Sequence, residues 1–413
     1  MMSKWNWIVL QLTRRLWFRS SLFAILAVIT ALVSIALKPF IPLSVTGVTG
    51  TDAVDQILKI LASSMLAVTT FSLNVMVSAY NAASSNVTPR TTRLLVEDTT
   101  TQNVLATFIG SFLYSLVGIV ALSMGAYGRQ GRVILFFVTL IVIVLIVLTL
   151  LRWIQHLAQF GQMGETTQRI ENVALEALTE RLDNPLLGAN EWKAEQLSAA
   201  QAKAVYLNEV GYVQHIDMQA LADFAERHKL TIFIVQQPGS FVYPNEPALW
   251  LKSAAPEIDI EPVIAAFTVK PQRSFDQDPR FGFCVLSEVA SRALSPAVND
   301  PGTAIDVIGR SVRLLSIWNN EAGRAGVGRF SRLYMKALKP EDFFDDLFTG
   351  IARDGAGLIE VQICLQKALK ALATTNPQAF SLPAQHHSLQ AFARAEKALL
   401  TEHDRQRLKK FIG

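Results

Sequence analysis

Charge is scarce in this chain. Asp, Glu, Lys and Arg make up 17% of 413 residues, hydrophobic residues make up 51%, and mean hydropathy is +0.30. That balance excludes an ordinary soluble protein over the whole length, and the apolar residues are concentrated before residue 152. Cysteine is scarce too. Cys284 and Cys364 each sit in an apolar helical pattern with no pairing spacing, which reads as two reduced, buried thiols. There is no P-loop, dinucleotide fingerprint, HExxH or CxxC. The six histidines have no ligand spacing, and the adjacent pair His386 and His387 points in different directions on a helix. No nucleophile–base constellation is readable, so the expectation is no catalytic residue, no metal, no cofactor and no enzyme. The net charge of +4, with a pI near 9.0, is too diffuse for nucleic acid and suits an anionic membrane surface. A cleavable signal peptide is not expected, because the first apolar run lacks a small-x-small exit.

What is present is a set of long apolar runs: about 17–37, 57–80, 104–124 and 133–151. Each has the ~20 residues that a hydrocarbon core of ~30 Å requires, so four transmembrane helices are expected. Residues 1–15 form a short amphipathic lead suited to a membrane surface. Ala24, Ala27, Ala31 and Ser34 give the first span a small-residue face. In the third, Thr107, Ser111 and Ser115 form one row and Gly110, Tyr114 and Gly118 a neighbouring row, both suited to close helix packing. The fourth is almost pure Val, Ile, Leu and Phe and is expected against lipid.

The second span is the unusual one. Lys59, Ser63, Thr70, Asn74, Ser78 and Asn81 follow one another at steps of 4, 7, 4, 4 and 3, which places them on one side of a helix. At membrane depth such a row must face protein, or water held by protein. It reads either as the lining of a polar pathway or as interhelical hydrogen bonding in a closed bundle. Pro89 is expected to turn the chain after this helix. That leaves Arg90 and Arg93 at the inner mouth, where they bias a pathway toward anions, and Lys59 near the outer end reinforces that bias. The Lys and Arg residues near the span ends favour both termini and the soluble part in the cytoplasm, with Arg129 and Arg132 arguing the other way.

The chain divides into a transmembrane domain, 1–152, a helical connector, 153–203, a small β-module, 204–270, and a mainly helical soluble domain, 271–413. The fold class is therefore an α-helical membrane domain plus an α+β soluble domain. In 204–270, Asp217 is expected to cap a helix between strands, and 262–269 reads as a last strand. The pieces resemble the barrel-sandwich hybrid of biotinyl and lipoyl modules. The turn Tyr243-Pro244-Asn245-Glu246-Pro247 lacks the carrier lysine, so a structural or docking role is expected. Glu257, Asp259 and Glu261 alternate as on an exposed acidic edge strand, or as three ligands for a hard cation. Ser295-Pro296 and Asp300-Pro301 each place a capping residue before proline. Asn299-Asp300-Pro301 reads as a turn plus a cap, or else Arg273, Asp278, Asn299 and Asp300 converge on a ligand or subunit contact. Arg324, Arg329, Arg332, Lys336 and Lys339 form a basic face, solvated or set against anionic headgroups.

Two stretches, PRTTRLLVEDTTTQNVLATFIGSFLYSLV and FDQDPRFGFCVLSEVASRALSPAVNDPGTA, resemble an uncharacterised bacterial family of predicted integral membrane proteins with a domain of unknown function. The resemblance implies four amino-terminal spans and a carboxy-terminal soluble region, and it transfers no activity. The expectation is a multi-pass protein of the bacterial inner membrane. It would be a homo-oligomeric channel-like or transport protein, with the lipid bilayer, a second copy and an ion or small solute as partners. The alternative is a membrane-anchored sensor or scaffold whose soluble domain binds a ligand or a protein.

Overall fold

The computed structural model describes residues 53–96, 98–125, 127–158, 160–193, 196–197, 202–252, 258–318 and 328–412, with the isolated positions Ser21, Ile25, Ile29 and Val33. The expected first span, with its small-residue face, lies otherwise outside the described residues. So do Glu257, Arg324 and the side chain of Arg93. The chain forms two compact units, 8–166 and 167–413.

The first unit is helical. Helix α1 runs Ala53–Asn86, a 3-10 turn covers Pro89–Thr91, and α2 covers Thr92–Val96. Helix α3 runs Thr99–Ser123 and α4 Gly128–Leu157. Three of these helices are long and apolar enough to cross a membrane. At 1.5 Å per residue α1 is about 51 Å long, so it outruns a hydrocarbon core of ~30 Å before Pro89 ends it. Its buried face is Val54, Leu58, Met65, Thr69, Ser72 and Ala83, which recur at helical spacing. Helix α3 lies between α1 and α4 and is the most buried of the three. Both of its small-residue rows are used. Thr107, Ser111 and Ser115 are buried, and a Cβ on Gly118 would stand 3.0 Å from Leu58 Cδ1. Helix α4 turns Ile141, Val144 and Leu151 outward, yet it also hides polar contacts that its sequence did not advertise. Tyr114 and Thr139 hydroxyls meet at 3.1 Å, and Trp153 Nε1 donates to Ser72 Oγ at 2.9 Å.

The second unit begins in α5, Met163–Asp183, and builds two sheets. The strands are β1 Asn190–Glu191, β2 Lys203–Val205, β3 Gly211–Ile216, β4 Thr231–Ile234, β5 Phe241–Val242, β6 Leu249–Lys252, β7 Phe267–Lys270 and β8 Leu333–Met335. One sheet has the order β1-β8-β4-β6-β2, with β8 parallel to both β1 and β4; the other is β5-β3-β7. Helix α6, Met218–Arg227, is capped by Asp217, whose carboxylate accepts from Ala220 N at 3.0 Å. The larger sheet recruits β1 and β8, so the β region is wider than the stretch 204–270, and Glu191 is a strand residue rather than part of a helical connector.

Residues 261–265 differ from expectation. They form a helical turn, α7, instead of a strand, because Pro262 sits in its first turn and Asp259 Oδ1 accepts from Glu261 N at 3.1 Å. Asp259 and Glu261 therefore do not alternate along an edge strand. Helices α8 Pro279–Ala293, α9 Pro301–Ser316, α10 Pro340–Asp354, α11 Ile359–Thr375, α12 Pro377–Ala398 and α13 Glu402–Lys409 complete the unit. Phe283, Phe343, Phe344, Phe348 and Phe380 fill their shared core. Ser295-Pro296 opens a turn rather than a helix.

Helices α5 and α9 are tied by charge. Glu171 is 6% exposed and accepts from Arg310 Nη1 at 2.5 Å and from Arg313 Nε at 2.8 Å. Burial pushes its carboxyl pKa up, but the hydrogen bonds from Arg313 and Arg310 outweigh that and hold it below the ordinary 4.5. A lowered folded pKa stabilises fully above the ordinary value and is lost as pH falls through the folded one. Glu171→Gln should therefore melt at a lower temperature than wild type at pH 7, and the gap should narrow below pH ~4. Thermal unfolding of the detergent-solubilised protein at both pH values checks this; a gap independent of pH counts against the ion-pair account.

Candidate functional site

The row predicted from spacing lies on one face of α1. Lys59, Ser63, Thr70, Asn74, Ser78 and Asn81 are all exposed, about half a turn away from the packed face that holds Leu58, Met65 and Ser72. From Lys59 to Asn81 the row rises about 33 Å, close to the ~30 Å of a hydrocarbon core. Apolar residues border it on both sides: Leu66 and Val77 on one flank, Ile60 and Phe71 on the other, each more than half exposed. Lys59 Nζ is paired with Asp55 at 2.5 Å. The hydroxyls of Ser63 and Thr70 donate back to carbonyls of their own helix, to Lys59 O or Ile60 O at 3.1 Å and to Leu66 O at 3.0 Å. Among the described residues the side chains of Asn74, Ser78 and Asn81 have no hydrogen-bond partner.

The three candidate spans rank in an order that lipid alone does not produce. Helix α1 is the least apolar of them, yet only 22% of its most apolar stretch is buried, against 56% for α3 and 28% for α4. Among the described residues the polar row of α1 therefore faces outward.

Behind α1 lies a cluster that the histidine spacing did not reveal. Asp98 caps α3: its Oδ2 accepts from Thr101 N at 2.7 Å and from Thr101 Oγ1 at 2.6 Å. His156, in the last turn of α4, places Nε2 at 3.1 Å from the same oxygen. The imidazole is flanked by the rings of Trp153 and Phe160, at 5.7 and 5.0 Å. Trp153 in turn holds Ser72 of α1. The start of α3, the end of α4 and the back of α1 are thus fastened together just beyond Arg90, which is exposed. The cap signature Asp98-x-x-Thr101 was readable; its pairing with a histidine 58 positions away was not.

In the second unit, Arg273 and Asp278 come together and Asn299 and Asp300 do not join them. Arg273 Nε and Nη2 grip Asp278 at 2.7 and 3.0 Å, and Nη1 lies 3.3 Å from Cys284 Sγ. Burial opposes charge on Arg273, but the Asp278 carboxylate outweighs it and holds the guanidinium above its ordinary pKa. Burial pushes the Cys284 thiol up to about 11, which favours the protonated form. Gly239, at φ 91°, brings backbone against the same carboxylate: a Cβ there would fall 2.4 Å from Asp278 Oδ2. Arg273, Asp278, Gln237, Ser240 and Arg280 border a cavity of about 240 Å³. Arg181 lies against it, 4% exposed, donating to Gln237 Oε1 at 2.8 Å, and its burial lowers the pKa to about 10. Asn299 and Asp300 stand beyond the far end of α8, where Asn299 adopts φ 50° and Asp300 caps α9 by accepting from Thr303 N at 3.1 Å. No group of three His, Cys, Asp or Glu is placed to hold a metal ion among the described residues. In the basic face, Arg332 pairs with Glu226 and Lys336 lies 5.1 Å over the Trp192 ring.

Removing one partner of the two-point pair leaves a largely buried cation. Asp278→Asn should cost about 3 kcal/mol. A drop in melting temperature for Asp278→Asn that exceeds the drop for the double change Arg273→Met/Asp278→Asn checks this; equal drops would show that the pair is not held as a charged unit.

Residues 13–371 match the family described as predicted membrane protein (DUF2254). An uncharacterized protein of Mycobacterium tuberculosis (strain CDC 1551 / Oshkosh) is 34% identical over 104 residues, which is 24% of this chain and 20% of that protein. An uncharacterized protein of Mycobacterium bovis is 33% identical over 104 residues, again 24% of this chain and 20% of the relative. The aligned stretch is thus about a fifth of the length of the curated relatives it matches. No solved structure matches the chain. The family match takes in most of the sequence, three helices have the length and composition to cross a bilayer, and the protein belongs to the predicted membrane protein family DUF2254.

Proposed function

We propose that this protein is a homo-oligomeric, channel-like transport protein of the bacterial inner membrane, with a polar pathway lined by the exposed row of α1. One observation carries the reading. The least apolar spanning helix is the least buried, and its outward face carries a polar row about as long as the membrane is thick, broken at Ala67. Lipid cannot hydrogen-bond to Asn74, Ser78 or Asn81, so that face is covered by protein or water. Copies arranged around an axis satisfy it: the apolar flanks at Leu66, Val77, Ile60 and Phe71 seat against neighbouring helices while the row between them faces the axis. Both termini and the second unit are cytoplasmic, in line with the basic residues near the inner ends of the spans. The protein performs no chemistry on its solute; it replaces part of a hydration shell.

The second reading, a membrane-anchored sensor, is favoured by a different observation. The cavity beside Arg273 and Asp278 is walled by charged groups and backed by the buried Arg181. In that reading the spans are an anchor and the cavity takes the ligand.

Flux from liposomes separates the two. Asn74→Leu should reduce ion flux by about tenfold or more, equivalent to at least ~1.4 kcal/mol of barrier, while leaving folding intact by gel filtration. Unchanged flux in Asn74→Leu would remove α1 from the pathway, and no flux from wild type under any ion would leave the sensor reading.

A further inference from the structure

The side-chain hydrogen bonds of α1 speak to what the row prefers, on the premise that the row is a pathway. A hydroxyl carries one hydrogen and two lone pairs. The groups that Ser63 and Thr70 touch are backbone carbonyls, which only accept, so the hydrogen of each hydroxyl is committed to its own helix. Ser85, further along the helix, does the same with Ala82 O at 3.1 Å. What these residues leave facing outward is oxygen lone pairs. Asn74 adds an amide that presents either its oxygen or its N–H₂. Between Ser63 and Asn81 there is no Asp, Glu, Lys or Arg.

We infer that the middle of the row is selective for small monovalent cations over anions. The expectation from basic residues alone is the reverse, so the two effects need weighing. Lys59 already has its charge met by Asp55. It stands eleven residues from Thr70, about 16 Å along the helix, and Arg90 stands beyond the end of the helix. In aqueous mouths at physiological salt, charge is screened over ~8 Å, so these cations act weakly on an ion at mid-span. An ion at Thr70 meets oxygen directly. An anion there needs N–H or O–H donors, and the hydroxyl hydrogens of Ser63 and Thr70 are already donated to the helix backbone. Divalent ions are disfavoured for another reason: calcium sites use carboxylates and magnesium gives up water reluctantly, and the row offers no carboxylate. One helix supplies one side of a coordination shell, and the symmetry-related copies of Ser63, Thr70 and Asn74 supply the rest, replacing hydration oxygens one for one.

The test is the reversal potential of the full-length protein in planar bilayers under a KCl gradient. The expected result is a reversal on the side of the potassium equilibrium potential. Thr70→Val, which keeps shape and removes the oxygen, should lower the potassium-to-chloride permeability ratio several-fold, and Ser63→Ala should act in the same direction. Reversal at zero or on the chloride side overturns this inference and leaves the pathway standing. A Thr70→Val variant that conducts with the wild-type ratio also overturns it. Absence of current with potassium, sodium and chloride alike overturns the pathway reading on which it rests.

Discussion

A bilayer interior offers no hydrogen-bond partner, and the first unit is organised by that constraint. A polar group left bare in hydrocarbon costs several kcal/mol. The unit answers the constraint in two ways. In α3 the Thr and Ser row is turned inward, and Thr107 and Ser115 close their hydroxyls onto carbonyls one turn back. In α4 Thr139 and Trp153 find partners inside, Thr139 at Tyr114 and Trp153 at Ser72. In α1 the solution stops halfway. Thr69 and Ser72 are internal, while the row from Lys59 to Asn81 is external. The same helix thus hides polar groups on one face and presents more of them on the other, which is the pattern of an element with two different neighbours.

The loop after α1 fixes how that element is held. Pro89 ends the helical run, Thr91 Oγ1 donates to Thr88 O at 2.7 Å, and Gln102 reaches back to Val96 O at 2.9 Å. Asp98 then starts α3 and takes His156 of α4. A capping carboxylate that is also an imidazole's partner couples the helix start to the helix end through one oxygen. Near the same end Gly161, at φ 79°, passes so close to Ala79 that a Cβ would lie 2.9 Å from the alanine Cβ, so the chain leaving α4 is pressed onto α1. The carboxy-terminal end of the row is therefore braced on its back side, while its front carries no hydrogen bond at Asn74, Ser78 or Asn81 among the described residues.

Period and punctuation made much of this legible. The steps between polar residues predicted which residues of α1 share a face, the small-residue rows predicted how α3 packs, and Asp217 and Asp300 predicted two helix starts. Two kinds of information were out of reach. Periodicity gives angles around a helix and does not say which angle a neighbour occupies, so the outward facing of the row was not readable. Pairing between distant segments leaves no local trace: β1 joins β8 across more than a hundred residues, and the side chain of Asn190 bridges them by donating to Phe330 O and Leu333 O. The error at 261–265 has a local cause. The apolar run after Pro262 suits a strand by composition, but proline fixes a backbone angle that opens a helix, and Asp259 Oδ1 accepts from Glu261 N just before it. Arg273 and Asp278, five residues apart, met as neighbours in sequence do; Asn299 and Asp300 were drawn toward them only by sharing a distinctive phrase.

The closed-bundle alternative for the row can be weighed on numbers of groups. Sealed interhelical hydrogen bonding requires a partner helix with donors and acceptors along its whole length. Within the described bundle, α3 spends its polar rows on its own carbonyls and α4 spends Thr139 and Trp153 on α3 and α1. Ser63 and Thr70 need little, since their hydrogens are already placed. Asn74 and Asn81 need more, with two donors and an acceptor each, and among the described residues no neighbouring face offers them a partner. The α1 helix of another copy carries the same residues and so the missing complement. In the proposed homo-oligomer an axis of symmetry through the row would supply them, and the width of that axis would decide between a sealed contact and a conducting one.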